Sequence, residues 1–172
     1  QSVLYGRADG VVVYLNLETG RRIEFLGHQE KVNVVDLSPN GHFAISGSND
    51  YVAYFWDTRT GQVIHRFNHP TRVTQVALDP QGRYAFTADS MKQANVWQLT
   101  TGDLVSKLQY IARQKIFTAA RFNDEGSLIA TGSPALNLMA ISVGLSGASS
   151  GETVRENTYS SGAIHGSSST LP

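Results

Sequence analysis

A repeat of 41 residues is the feature that most constrains the fold of this chain. Gly20, Gly61 and Gly102 each follow a threonine, and 41 residues separate each of them from the next. The same interval relates other pairs: Pro39 and Pro80, Gly41 and Gly82, Trp56 and Trp97, His28 and His69. This many coincidences at one offset indicate a repeated structural unit. Counting back maps Gly47 to Gly6, and counting on maps Gly82 to Gly126 with three extra residues between the repeats.

Each repeat reads as four short strands. Runs rich in Val, Ile, Tyr, Phe and Trp are bounded by Gly, Pro, Asn and Asp, which is typical of strands and tight turns. In the most complete repeat we predict strands over Lys31–Leu37, His42–Gly47, Tyr51–Asp57 and Gln62–Phe67. Four strands in about 40 to 45 residues are the pattern of a propeller blade and exclude helical solenoids.

Several motifs of the second repeat resemble those of a known family. They are Gly27-His28, Ser38-Pro39-Asn40-Gly41, Ile45 to Asp50, and Phe55-Trp56-Asp57. In this combination they resemble the WD repeat, and the resemblance extends from about Val3 to Ile141. The third repeat is degenerate, since Gln98 replaces the Asp of the Trp-Asp pair and Met91 stands where Asp50 maps.

The resemblance implies an all-β fold, a partial WD-repeat β-propeller with four-stranded antiparallel blades. We expect an incomplete propeller over residues 1–143, with blades at roughly 1–26, 27–67, 68–108 and 109–143. Residues 144–172 are rich in Gly and Ser, and this composition predicts a flexible C-terminal tail. A sharper hypothesis is that the native sequence ends near Leu138 and that the remainder derives from a truncated or out-of-frame reading.

The resemblance also implies a hydrogen-bonded chain inside each blade. In this sequence it would comprise His28, Ser46, Asp50 and Trp56, with His69, Thr87 and Trp97 as a partial copy. Ser, His and Asp together also suggest a catalytic triad. Repetition favours a structural role, because a catalytic centre has no need to recur in each blade. We therefore predict no catalytic residues and no enzyme activity.

Composition narrows the classes of ligand. The chain has no cysteine, and no pair of its five histidines shows the spacing of a metal site. No glycine-rich phosphate loop opens a helix, so we expect neither metal nor cofactor. With 14 basic and 14 acidic residues the formal net charge is zero, which favours no nucleic-acid partner. No apolar run is long enough to predict membrane insertion.

In the family, the loops between fourth and first strands and between second and third strands form one face, which commonly carries the binding site. In this chain those loops combine aromatic, flexible apolar and cationic side chains, the composition of interface anchors. The candidate partner-binding residues are Tyr51, Arg72, Met91, Lys92, Tyr110, Arg113 and Lys115. We expect an interaction scaffold that binds a protein or peptide, with an acidic partner suiting these cations.

Three and a half blades are too few to close a propeller. We therefore expect a fragment of a larger, here truncated, propeller, and open blade edges that could support self-association. Two other functions remain open: a propeller enzyme with its active site in the channel of the intact protein, and a structural module of an envelope-associated protein. The sequence leaves the compartment open, with the cytoplasm favoured and the bacterial envelope or periplasm as the alternative.

Overall fold

The computed structural model describes residues 1–91, 93–109, 119–133 and 136–142. These residues form fourteen strands in four antiparallel sheets, and no helix occurs among them. The predicted all-β fold with four-stranded antiparallel sheets is thereby confirmed. The predicted tail at 144–172 lies outside the described residues.

The sheets follow one another along the chain. The first contains β1 (Ser2–Gly6), β2 (Val12–Asn16) and β3 (Arg22–Phe25). The second contains β4 (Val32–Leu37), β5 (Phe43–Ser48), β6 (Val52–Asp57) and β7 (Gln62–Asn68). The third contains β8 (Val73–Leu78), β9 (Tyr84–Asp89), β10 (Gln93–Gln98) and β11 (Leu104–Gln109). The fourth contains β12 (Ala119–Phe122), β13 (Leu128–Ser133) and β14 (Leu136–Ser142).

The turn between β4 and β5 shows why the repeated motif folds as a hairpin. The Ser38 hydroxyl donates to the Asn40 side chain at 2.7 Å and accepts from the Phe43 amide at 3.0 Å. Gly41 then takes a left-handed conformation with φ of 71°, which only glycine adopts without strain. Gly82 and Gly126 repeat this conformation with φ of 72° and 65°. The shared glycine therefore marks one turn per repeat.

Trp56 and Trp97 join neighbouring sheets. The Trp56 ring lies 5.4 Å from the ring of Phe25 in the first sheet, measured between centroids. Trp97 stacks on Phe67 of the second sheet at 4.4 Å. Each tryptophan therefore packs against the outer-strand phenylalanine of the preceding sheet, and this contact repeats along the chain.

Strands β1 and β5 also pack closely against the first strand of the next four-stranded sheet, β4 and β8 respectively, which we call the inner strands. A Cβ added at Gly47 would collide with Cγ1 of Val73, and one added at Gly6 would collide with Cγ1 of Val32. A side chain at either glycine would collide with the neighbouring inner strand. Glycine at these two positions therefore sets the close spacing of adjacent sheets.

The outer strands of the second and third sheets contain a bulge that the outer strand of the first sheet lacks. In β7 the pairing register shifts so that Ile64 is an extra, bulged residue, and Val105 has the same place in β11. Strand β3 pairs with β2 without such a shift. The chain therefore has one residue more between Phe25 and His28 than between Phe67 and His69. Leu26 lies in this longer stretch, with 71% of its surface exposed. The missing bulge thus adds an apolar side chain to the loop after β3.

Candidate functional site

The second sheet brings His28, Ser46, Asp50 and Trp56 together. The Trp56 indole Nε1–H donates to Ser46 Oγ at 2.8 Å. Ser46 Oγ lies 2.8 Å from His28 Nε2, and His28 Nδ1 lies 2.9 Å from Asp50 Oδ2. Trp56 lies on β6, Ser46 on β5 and Asp50 in the loop between these strands, whereas His28 lies in the loop before β4. The hydrogen bonds therefore connect that loop to the sheet.

The carboxylate at one end sets the direction of this chain of bonds. Asp50 can only accept, so His28 Nδ1 carries the hydrogen and donates it to Asp50 Oδ2. In a neutral ring His28 Nε2 then accepts the hydrogen of the Ser46 hydroxyl. This neutral form also agrees with burial, which lowers the pKa of His28 against the opposing effect of Asp50.

Burial separates this arrangement from a catalytic triad. Ser46 is 0% exposed and His28 is 6% exposed, so the Ser46 oxygen does not face a cleft. That oxygen already accepts the indole hydrogen of Trp56. A nucleophile must reach a substrate carbonyl, and Ser46 has no such access. What the arrangement does is satisfy buried polar atoms.

The third sheet contains a second set of the same residue types. Trp97 Nε1–H donates to Thr87 Oγ1 at 2.7 Å, and Thr87 Oγ1 lies 2.8 Å from His69 Nε2. Burial again lowers the pKa of the histidine, here His69, against the opposing charge of Asp89.

Asp89 is the acid of this second set, and the sequence alone did not reveal it. Counting 41 residues from Asp50 gives Met91, whereas the structure places the acid two residues earlier, at the end of β9. Asp89 Oδ2 lies 3.5 Å from His69 Nδ1, and neither atom has a hydrogen-bond partner within the described residues. Asp89 Oδ1 accepts the amides of Met91 at 2.9 Å and Gln93 at 3.0 Å. The sequence Thr87-Ala88-Asp89 contains this acid two residues after the threonine of the set, and that proximity could have identified it.

The loops before β4, β6, β8 and β10 lie at one end of the sheets, which we call the loop end. Tyr51, Arg72 and Met91 of the predicted binding residues are exposed there. The His69 amide donates to the Tyr51 carbonyl at 2.8 Å, which connects two of these loops. Lys92, Tyr110, Arg113 and Lys115 lie outside the described residues. Leu26, which the sequence interpretation did not include, is exposed on the loop before β4.

The inner strands β4, β8 and β12 line a groove of about 490 Å³. Asp36 in its wall accepts the amide of Leu78 from the next sheet at 2.8 Å and that of Leu37 at 2.9 Å. Burial raises the pKa of Asp36, while these two amides and the charge of Arg121 oppose that rise. Both carboxylate oxygens bind backbone, so Asp36 connects two sheets.

The described residues contain no group of three or more His, Cys, Asp or Glu residues placed to hold a metal ion. Nor do they contain a helix of the length and apolar character that a bilayer crossing demands.

A comparison with protein families agrees with the geometry. Residues 20–57 match the family model described as WD domain, G-beta repeat. No curated protein was found to match the chain. WD-repeat domains generally act as interaction scaffolds and are typically not enzymes. The match covers one repeat, from the turn before β3 to the end of β6, and sheets of the same antiparallel design flank it, so the chain contains a WD repeat within a series of similar sheets.

Proposed function

We propose that this chain is part of a protein-interaction scaffold that binds a protein or peptide at the loop end. Each of the four sheets acts as one blade, complete or partial, with boundaries near residues 26, 67 and 108. The blades provide a rigid support, and the loops provide the contacts.

The backbone of Tyr51 is the single observation that carries this proposal. Tyr51 has a φ of 69°, the one positive value at a non-glycine residue in the described chain. Its counterpart one repeat earlier is Gly10, with a φ of 88°. A left-handed conformation costs a residue with a side chain about 1–2 kcal/mol. Tyr51 is 53% exposed, so packing does not account for keeping an aromatic side chain there. Strain of this kind points to a function.

Neighbouring exposed side chains fit the same use. Met91 is 69% exposed and Leu26 is exposed on the loop before β4. Exposed Tyr and Met are common at protein interfaces because both provide adaptable apolar contact area. Arg72 forms no hydrogen bond or ion pair through its side chain within the described residues, so its guanidinium is available to a carboxylate. An acidic peptide suits this combination.

The buried networks hold these loops in place. Asp50 Oδ2 also accepts the Gln29 amide at 2.9 Å, and Asp50 Oδ1 accepts the Val52 amide at 3.1 Å. Tyr51 lies between residues fixed in this way. Preorganised loops lose little entropy when a partner binds. The His, Ser, Asp and Trp set is therefore a support for the binding surface, with no catalytic step of its own.

Replacing Tyr51 by Gly separates binding from stability. The variant should gain about 1 kcal/mol in free energy of unfolding, because glycine adopts a positive φ without strain. The same variant should lose at least about tenfold in recovery of bound protein, because an aromatic anchor is removed. Chemical denaturation measures the first quantity, and affinity purification with quantitative mass spectrometry measures the second.

Charge reversal at two places provides the matched comparison. Arg72→Glu changes the loop end, whereas Arg59→Glu changes an exposed residue of the β6–β7 turn at the opposite end. We expect Arg72→Glu to remove the proteins that Tyr51→Gly removes and Arg59→Glu to retain them. If both loop-end variants recover the same proteins as the unmodified chain, the proposed surface is wrong.

A further inference from the structure

Two exposed cations lie at equivalent places of the loop end. Lys31 directly precedes β4 and Arg72 directly precedes β8, and 41 residues separate them. Both are exposed, and neither side chain forms a hydrogen bond or ion pair within the part of the chain that the structure describes. The two inner strands therefore each present one positive charge at the same end of their sheets.

The side chain of Asn33 fixes the spacing between these two charges. Its amide group donates to the Val73 carbonyl of the next sheet at 3.0 Å and to Asn49 Oδ1 at 2.9 Å. Sheets that pack face to face lie about 10 Å apart. Because Lys31 and Arg72 lie within two residues of this contact, their charges are about 10 Å apart as well.

Two exposed apolar side chains form a second row beside the cations. Tyr51, between β5 and β6, is 53% exposed, and Met91, between β9 and β10, is 69% exposed. These loops lie in the middle of their sheets, whereas Lys31 and Arg72 precede the inner strands. Neighbouring strands are about 4.8 Å apart, so the apolar row lies roughly one and a half strand spacings outside the row of cations.

Backbone hydrogen bonds hold the two rows together. The Asn49 amide donates to the Lys31 carbonyl at 3.0 Å, and the Ser90 amide donates to the Arg72 carbonyl at 3.0 Å. Tyr51 follows the first of these donors by two residues, and Met91 follows Ser90 directly. The loop end thus presents a cation and an apolar side chain on each of two adjacent sheets, in the same arrangement.

The geometry of a polyproline II helix matches these two rows. It has three residues per turn and rises about 3.1 Å per residue, so side chains at i and i+3 lie on one edge, about 9 Å apart. A β-strand does not match, because its side chains three residues apart point to opposite faces. In a polyproline II helix a second edge lies beside the first, so one edge can contact the cations while its neighbour contacts the apolar row.

We propose that the loop end recognises a polyproline II segment that has glutamates three residues apart and prolines between them. One glutamate pairs with Lys31 and the other with Arg72, while prolines of the adjacent edge contact Tyr51 and Met91. This binding mode rests on the proposed scaffold function and defines its partner by conformation and charge spacing. A polyproline II segment is already extended before it binds, so it loses little conformational entropy.

The peptide Glu-Pro-Pro-Glu-Pro-Pro, capped at both ends and labelled with a fluorophore, is the probe. Added to the full 172-residue chain, it should give saturable binding in fluorescence anisotropy that weakens as salt is added. Glu-Glu-Pro-Pro-Pro-Pro has the same composition with adjacent charges, and should bind about fivefold more weakly. Glu-Gly-Ser-Glu-Gly-Ser keeps the charge spacing without the preformed helix, and should bind about tenfold more weakly.

Neutral variants of the two cations show which glutamate each one contacts. Lys31→Gln and Arg72→Gln should each weaken binding by about threefold to fivefold, the range of an exposed ion pair. Replacing one glutamate of the peptide by glutamine should remove the effect of one of these variants and leave the effect of the other. Arg59→Gln, at the opposite end of the sheets, should leave binding unchanged.

Glu30 provides a test with the opposite sign. It is exposed and directly precedes Lys31, whereas its counterpart 41 residues later is the uncharged Thr71. Its negative charge opposes the approach of a glutamate, so Glu30→Gln should strengthen binding of the probe by about twofold. A weakening would contradict the placement of a glutamate at Lys31.

Equal binding of the three peptides, or no saturable binding of the probe, would overturn this binding mode. The scaffold function has its own test, the recovery of proteins by Tyr51→Gly and Arg72→Glu. If those variants lose proteins while the three peptides bind alike, the loop end is a scaffold surface for a partner of different chemistry. If those variants also recover the same proteins as the unmodified chain, both proposals are wrong.

Discussion

Replacing Trp56 by Ala should lower the free energy of unfolding by about 3–5 kcal/mol, the usual cost of deleting a large buried aromatic side chain. Trp56 is among the fully buried side chains, and its ring contacts Phe25 of the preceding sheet. It also provides the indole hydrogen that Ser46 accepts. The loss therefore combines a cavity between two sheets with a broken hydrogen bond. Urea denaturation followed by circular dichroism measures it.

Trp56→Phe is the matched control. Phenylalanine keeps an aromatic ring against Phe25 but has no N–H, and the Ser46 hydroxyl can still donate to His28. We expect this variant to lose about 1–2 kcal/mol, the net value of one hydrogen bond together with a small change in packing. Equal, small losses for Ala and Phe would show that Trp56 does not join the two sheets.

Replacing Ser46 by Ala should lower the free energy of unfolding by about 2–4 kcal/mol, because two buried groups lose their partner. One is the Trp56 indole N–H, and the other is His28 Nε2. Very little volume is removed, so a loss of this size would come from unsatisfied polar atoms rather than from a cavity. The same denaturation experiment measures it.

Ser46→Thr restores the hydroxyl and is the control for this change. Thr87 has the same place in the third sheet and makes the same two contacts. We expect the Thr variant to retain most of the stability that the Ala variant loses. A Thr variant as unstable as the Ala variant would mean that space at this position, and not hydrogen bonding, sets the cost.

The repeated glycines and apolar runs predicted most of the fold. Gly41 and its counterparts mark turns by their backbone conformation, and the four predicted strands of the second repeat match β4 to β7 to within one residue at each end. These features depend on local chemistry, which is why a single repeat shows them. Contacts between sheets could not be predicted from local sequence in this way. Asp36, for example, binds the Leu78 amide 42 residues away, and nothing local to Asp36 indicates that contact.

The candidate site was predicted in part. A fixed offset located His69, Thr87 and Trp97 beside one another, but it gave Met91 where the structure has Asp89 at the end of β9. A carboxylate two residues earlier reaches the corresponding histidine, His69, because the end of β9 and the turn after it both lie near that ring. A counting rule cannot represent this substitution. The bulge at Ile64 and its absence from β3 likewise depend on strand pairing. The sequence therefore did not predict that Leu26 is exposed at the loop end.

The protonation state of His28 tests most directly whether the His, Ser, Asp and Trp set is an internal support. Long-range ¹H–¹⁵N NMR correlations report which ring nitrogen carries the hydrogen and how the ring titrates. We predict a neutral ring with the hydrogen on Nδ1, persisting as the pH falls below about 6.5, the ordinary pKa of histidine, because burial lowers the pKa of His28. A ring that carries its hydrogen on Nε2 and titrates near the ordinary pKa would contradict the account.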